Sequence, residues 1–295
     1  MRISENSMVQ DFLKNLEGAR QRWFGWSQQV STGKKLQKPS DNPADTARLV
    51  RIRDEFSRSN QYLRNVSRAQ SKLGTASSTL NTLRNLTISA SEKTIFALTD
   101  TTSQDGRNAI AQELSGMLEN MKQIAATTVD GLYIYSGSRI DTPPITEVGG
   151  AYVYQGDELA PRIEVNQGES VQVGVPGSEV FSASSADLLN TMRELIDQLE
   201  SGDIQGAQAS LGAIQDAGKV IDSARFKIST SINQTDNAEA RLNDHLLDLT
   251  SEVSRLEDAD MAEAISRMTQ SETALNASLG AGAQMQQGNL FDYIG

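Results

Sequence analysis

The stretch Gln29-Val30-Ser31-Thr32-Gly33-Lys34-Lys35-Leu36-Gln37-Lys38-Pro39-Ser40-Asp41-Asn42-Pro43-Ala44 marks where one helical pattern stops and a longer one starts. Upstream, Val9, Phe12, Leu16, Ala19, Trp23, Trp26 and Val30 recur in alternating steps of three and four, which places all seven on one helical stripe. Gly33 can close that helix in the left-handed conformation, and the basic residues Lys34, Lys35 and Lys38 then lead to Pro39. A new start follows at once. Ser40, Asp41 or Asn42 can accept from free backbone amides, Pro43 suits the first helical position, and Asp45 favours the dipole.

Beyond Pro43 no proline intervenes before Pro143, and Leu49, Ile52, Phe56, Leu63, Val66, Leu73 and Leu80 keep a heptad-like seam. This predicts one helix from Pro43 to about Leu98. A polar turn over residues 99–106 precedes Ile110, Leu114, Met117, Met121 and Ile124, which predict an amphipathic helix folding back antiparallel. From Gly131 to residue 182, β-prone runs such as Leu132-Tyr133-Ile134-Tyr135 and Glu179-Val180-Phe181 alternate with Gly, Pro and Asp turns, predicting a small β-rich insert. Helical spacing resumes at Leu188, Met192, Leu195 and Leu199. Past Gly202 it runs through Ile204, Ala207, Leu211, Ile214, Ile221, Ile228, Ile232, Leu242, Leu246, Leu249, Val253 and Leu256 without proline, a second very long helix. Glu257-Asp258-Ala259-Asp260 reads as a capping segment, and Met261, Ile265, Met268, Leu275 and Leu279 carry the last stripe toward Leu290.

The chain is therefore nearly palindromic in kind: short helix, break, long helix, β insert, long helix, break, short helix. Narrow apolar stripes need partners, so the two halves are expected to pack as a long antiparallel helical bundle, mainly α. Composition agrees with thin seams rather than a thick core, with hydrophobic residues at 38% and aromatics at 5%. The formal charge of -11 argues against nucleic acid or an anionic membrane as the main partner. Residues 1–70 hold 13 basic and 7 acidic side chains, whereas 186–295 hold 7 and 18, so the two ends are electrostatically complementary.

Gln29 to Leu36 followed by Pro39 to Ala44 closely resembles the N-terminal signature of bacterial flagellins and their relatives, and Leu256-Glu257-Asp258-Ala259-Asp260-Met261-Ala262-Glu263 looks like the start of the flagellin C-terminal helix. Together the two matches frame the whole chain. The start Met1-Arg2-Ile3-Ser4, the segment Leu132 to Pro144 and the tail Asn289-Leu290-Phe291-Asp292-Tyr293-Ile294 are more similar to the hook-filament junction branch than to filament flagellins. The resemblance implies terminal helices over 1–38 plus 258–295 that pair as an axial core and order on assembly. It further implies a long-helix bundle over 39–130 plus 183–257 and a β-rich inserted domain over 131–182. Its implied role is a structural subunit that joins the hook side to the filament, with filament flagellin and an intracellular coiled-coil scaffold as alternatives. The implied partners are copies of the chain, hook-associated protein 1, flagellin and an export chaperone. The expected location is the extracellular flagellum, reached by type III export without a cleavable signal peptide, since residues 1–18 show no apolar h-region or small-residue cleavage site.

Chemistry of other kinds finds little support. The chain has no cysteine and only His245, which rules out a His/Cys zinc site and supports no nucleophilic triad, so neither an enzyme nor a cofactor is expected. Glu257, Asp258 and Asp260 lack the glycine-centred spacing of a calcium loop. Gly33-Lys34 lacks a glycine five residues earlier, where Gln28 stands, so it is no phosphate loop. The residues expected to act are the helix-packing ones: Val9, Phe12, Leu16, Trp23, Trp26 and Val30, with Met261, Ile265, Met268, Leu275, Leu279 and Leu290.

Overall fold

A computed structural model describes residues 2–183 and 186–294. The elements are α1 (Arg2–Thr32), α2 (Pro43–Ala97), α3 (Gln104–Ala125), β1 (Thr128–Val129), β2 (Leu132–Tyr133), β3 (Ile145–Val148), β4 (Ala151–Tyr154), β5 (Arg162–Asn166), β6 (Glu169–Gln172), α4 (Gly177–Val180), β7 (Ser182–Ala183), β8 (Ala186–Asp187), α5 (Leu188–Ser201), α6 (Ile204–Glu257) and α7 (Met261–Ile294). The chain is mainly α, as its spacing predicts. It divides into two compact units, residues 58–245 and the ends 1–57 with 246–295.

Helix boundaries follow local chemistry. Gly33 ends α1 at φ +72°, a conformation that glycine adopts without the Cβ clash. Asn42 Oδ1 accepts from the amides of Ala44 and Asp45 at 3.1 Å each, capping α2. Ser103 caps α3, Asp187 caps α5, and Gly202 at φ +77° stops α5. Asp203 Oδ1 then accepts from Gly206 at 2.9 Å to open α6, and Asp260 Oδ1 accepts from Ala262 and Glu263 to open α7.

Within residues 58–245 the helices α2, α3, α5 and α6 close around Leu73, Leu80, Leu83, Leu114, Met121, Leu195, Leu199, Ile214 and Ile221, all fully buried. α2 and α6 run antiparallel here, tied by Arg84 to Asp222 at 2.9 Å and Gln70 to Glu239 at 2.6 Å. The insert consists of four two-stranded antiparallel hairpins, β1-β2, β3-β4, β5-β6 and β7-β8. Its apolar side chains feed the helical core: Tyr135 and Phe181 meet edge to face with ring centroids 5.3 Å apart. Val165 and Val171 pack on Val66, Ala238 and Leu242 in a second cluster. Asn190 braces β4 by pairing with both the amide and the carbonyl of Tyr152, at 2.8 and 2.9 Å.

Three local expectations change. Glu179-Val180-Phe181 is not a strand: residues 177–180 form the short helix α4, and Phe181 turns fully into the core. Only Leu132–Tyr133 of the Leu132 to Tyr135 run is strand, because burial of Tyr135 and its bond to Thr79 pull the chain off the hairpin. Phe56, expected in the α2 seam, is 37% exposed, and the heptad position of Ser59 is buried instead.

Candidate assembly surface

The unit formed by the two ends pairs α1 with α7. Small residues let the helices approach: Ala19 and Ala264 are buried, and Gly282 lies so close to Phe12 that a Cβ there would stand 2.5 Å from the ring Cζ. The expected stripe sits around this seam rather than inside it. Phe12, Leu16, Trp23, Trp26, Val30, Met268 and Leu275 are half-buried. Val9, Met261, Ile265 and Leu279 are exposed, between 41% and 51%. The side chain of Leu290 lies outside the described residues. Leu13 and Phe24, both exposed, flank the same stripe and escaped the three-and-four count, which traces a line where a helix presents a band.

The signature stretch forms a clasp between the ends. Gly33 O accepts from Ala259 N and Glu257 O accepts from Lys35 N, each at 2.8 Å, and Lys34 bridges Asp258 in antiparallel fashion. Lys35 Nζ also donates to Arg255 O at 2.6 Å. Side chains reinforce this: the Glu257 carboxylate, only 7% exposed, accepts from Lys34 Nζ at 2.5 Å and from Arg53 at 2.8 and 3.0 Å. Burial pushes the Glu257 pKa up, but the hydrogen bonds and charges of Lys34 and Arg53 outweigh it and hold the group below its ordinary value. Arg48 pairs with Glu252 one turn away. Within the connector, the Asp41 carboxylate accepts from the amides of Lys38 and Gln37, which lowers its pKa and shapes the turn into α2.

Nothing in this arrangement, among the described residues, assembles an acid, a base and a nucleophile around a cavity. Among the described residues there is no group of three or more His, Cys, Asp or Glu that could hold a metal, and no helix is long and apolar enough to cross a membrane. The most strongly raised group, Tyr135 at about 12, owes its shift to burial in the helical core, which its bond with Thr79 only partly offsets. His245 lies half-buried along α6.

A clasped pair of terminal helices with apolar side chains left outside, beside a bundle of long helices, defines a protein of long-helix-bundle type. Residues 3–139 match the bacterial flagellin N-terminal helical region and residues 203–294 the bacterial flagellin C-terminal helical region, and the chain belongs to the flagellin family. Among its relatives, flagellar hook-associated protein 3 of Escherichia coli (strain K12) is 26% identical and that of Salmonella typhimurium 22%, each alignment covering 99% of both chains. Among solved structures, a putative flagellar hook-associated protein from Vibrio parahaemolyticus superposes with a TM-score of 0.70 at 21% identity, covering 74% of this chain and all of that one. The flagellar junction protein FlgL from Legionella pneumophila gives 0.61 at 16% identity over 72% of this chain and 100% of its own. These structural likenesses are in fold.

Proposed function

We propose that this chain is the flagellar subunit that joins the hook side to the filament and that it works mechanically, through helix packing, without catalysis. The observation that carries the reading is that Val9, Ile265 and Leu279 are left uncovered on the helix pair of a flagellin-family chain. Exposed apolar bands of that kind stabilise association rather than the single chain. End-to-end similarity to hook-associated protein 3 favours the junction over the filament itself. On this reading the chain is exported to the flagellum outside the cell. There it meets further copies of itself, hook-associated protein 1 and flagellin, and an export chaperone shields its tail beforehand. The terminal helices, 1–38 and 258–295, order fully on assembly, because helices with Gly- and Gln-rich turns are marginal alone in water.

Deleting the gene is expected to leave cells with hooks but no filaments, releasing flagellin monomer into the medium. Hooks that still carry normal filaments would end the junction reading. A purified protein that grew into long filaments unaided would instead favour a filament flagellin. Trp23→Ala is expected to impair assembly more than folding, as half-buried aromatics at a helix interface anchor partners. Equal loss of both would assign Trp23 to the internal seam.

A further inference from the structure

One face of the end unit carries an unfilled cleft. About 700 Å³ opens between α1 and the connector that follows it, walled by Phe24 and rimmed by Arg20, Lys35 and Lys38, with Glu17 and Asp41 at its edge. The acidic members are engaged locally: Glu17 accepts from Gln21, and Asp41 from the connector amides. Lys35 is turned to the Arg255 carbonyl. Arg20 has no partner among the described residues, and Phe24 is 61% exposed. The cleft thus sets one exposed aromatic ring beside three basic and two acidic groups, a net positive charge of one.

The same unit presents the opposite chemistry on α6. Among the described residues of the end unit Leu247 is the most exposed large apolar side chain, at 69%, and the neighbouring Asp248 is exposed and without an ion-pair partner. We infer that Leu247 and Asp248 of one copy enter the Phe24 cleft of the next, Leu247 against the ring and Asp248 toward Arg20 and Lys38. This rests on the assembly reading above and names the surfaces it uses. Charge complementarity selects the occupant: residues 1–70 carry 13 basic against 7 acidic groups and 186–295 carry 7 against 18, so a basic cleft meets an acidic helix. The two patches differ from each other, which makes the contact head-to-tail, the type that propagates from copy to copy.

The chain has no cysteine, which makes a clean test available. Phe24→Cys and Leu247→Cys would be made as separate single variants of the full chain, co-expressed in place of the wild type, and isolated hook-filament structures oxidised. A heterodisulfide joining position 24 of one copy to position 247 of another, which can form only between the two variants, is expected to outnumber either homodisulfide several-fold. Arg20→Glu is expected to lower filament number at least tenfold and Asp248→Arg to restore much of it in the double variant. Assembled structures giving no excess heterodisulfide, or Arg20→Glu cells with full filament number, would overturn the contact while leaving the junction role standing. Normal filaments in the deletion strain would remove the junction role, and the cross-link between purified copies would still decide the contact.

Discussion

Residues 58–245 and the clasped ends are both made of long helices with heptad-like spacing, yet they bury different things. The first unit hides Leu80, Leu114, Met121 and Leu195 completely and seals them with Tyr135 and Phe181 from the hairpins. Among its described apolar side chains the second buries only Ala19, Leu49, Ile52, Leu249 and Ala264, and it displays Val9, Leu13, Phe24, Val50, Leu247, Ile265 and Leu279. The same periodicity therefore closes a core in one unit and leaves apolar side chains exposed in the other. Heptads define a seam; the number of neighbouring elements decides whether it closes within one chain.

Substitutions can break that contrast. Leu80→Ala should have the largest effect, about 2–5 kcal/mol of stability by chemical denaturation, because it opens a cavity among fully packed neighbours. A loss under about 1 kcal/mol would mean the bundle core is no tighter than the ends. Asn42→Ala should destabilise the start of α2 by about 1 kcal/mol, visible as faster amide exchange at Ala44 and Asp45.

Glu257→Gln should weaken the clasp by no more than about 1 kcal/mol near neutral pH, since Lys34 and Arg53 are half exposed. Its signature is the pH profile. A carboxylate whose folded pKa is depressed contributes stability that is full above its ordinary value of 4.5 and is lost as pH falls through the lower folded value. Protection of the amides in residues 33–36, taken relative to the intrinsic exchange rate at each pH, should therefore fall on acidification in the natural chain and stay flatter in the variant. Ile265→Ala should change the single chain by less than about 0.5 kcal/mol while still reducing filament number. A large loss of stability from so exposed a position would erase the distinction between the units.

The parts legible in the sequence are those whose cause is local. Gly33, Asn42, Asp260 and the stripes of α1 and α7 announce themselves within a few residues, since capping and helical spacing act at that range. The clasp is not legible in this way. Nothing in a single sequence pairs Lys34 with Glu257 across 223 positions, although the opposite charge of the two ends hints at such an encounter. The hairpin insert is legible as β-prone but not as an extension of the helical core, because the burial of Tyr135 and Phe181 is decided by helices far away in sequence. Ser59 takes the seam position expected of Phe56 for a similar reason: spacing names a row of candidates, and packing chooses among them.

The reciprocal bonds between Gly33 and Ala259 and between Lys35 and Glu257 also set an order of events. Closing a loop of more than 200 residues in an unstructured chain costs about 5 kcal/mol of chain entropy, more than two backbone bonds return. Once α2 and α6 lie side by side within residues 58–245, only short arms remain to be brought together. The clasp is then the last contact made and the first undone, so changes in it should alter how quickly the ends come apart and leave the speed of folding almost untouched.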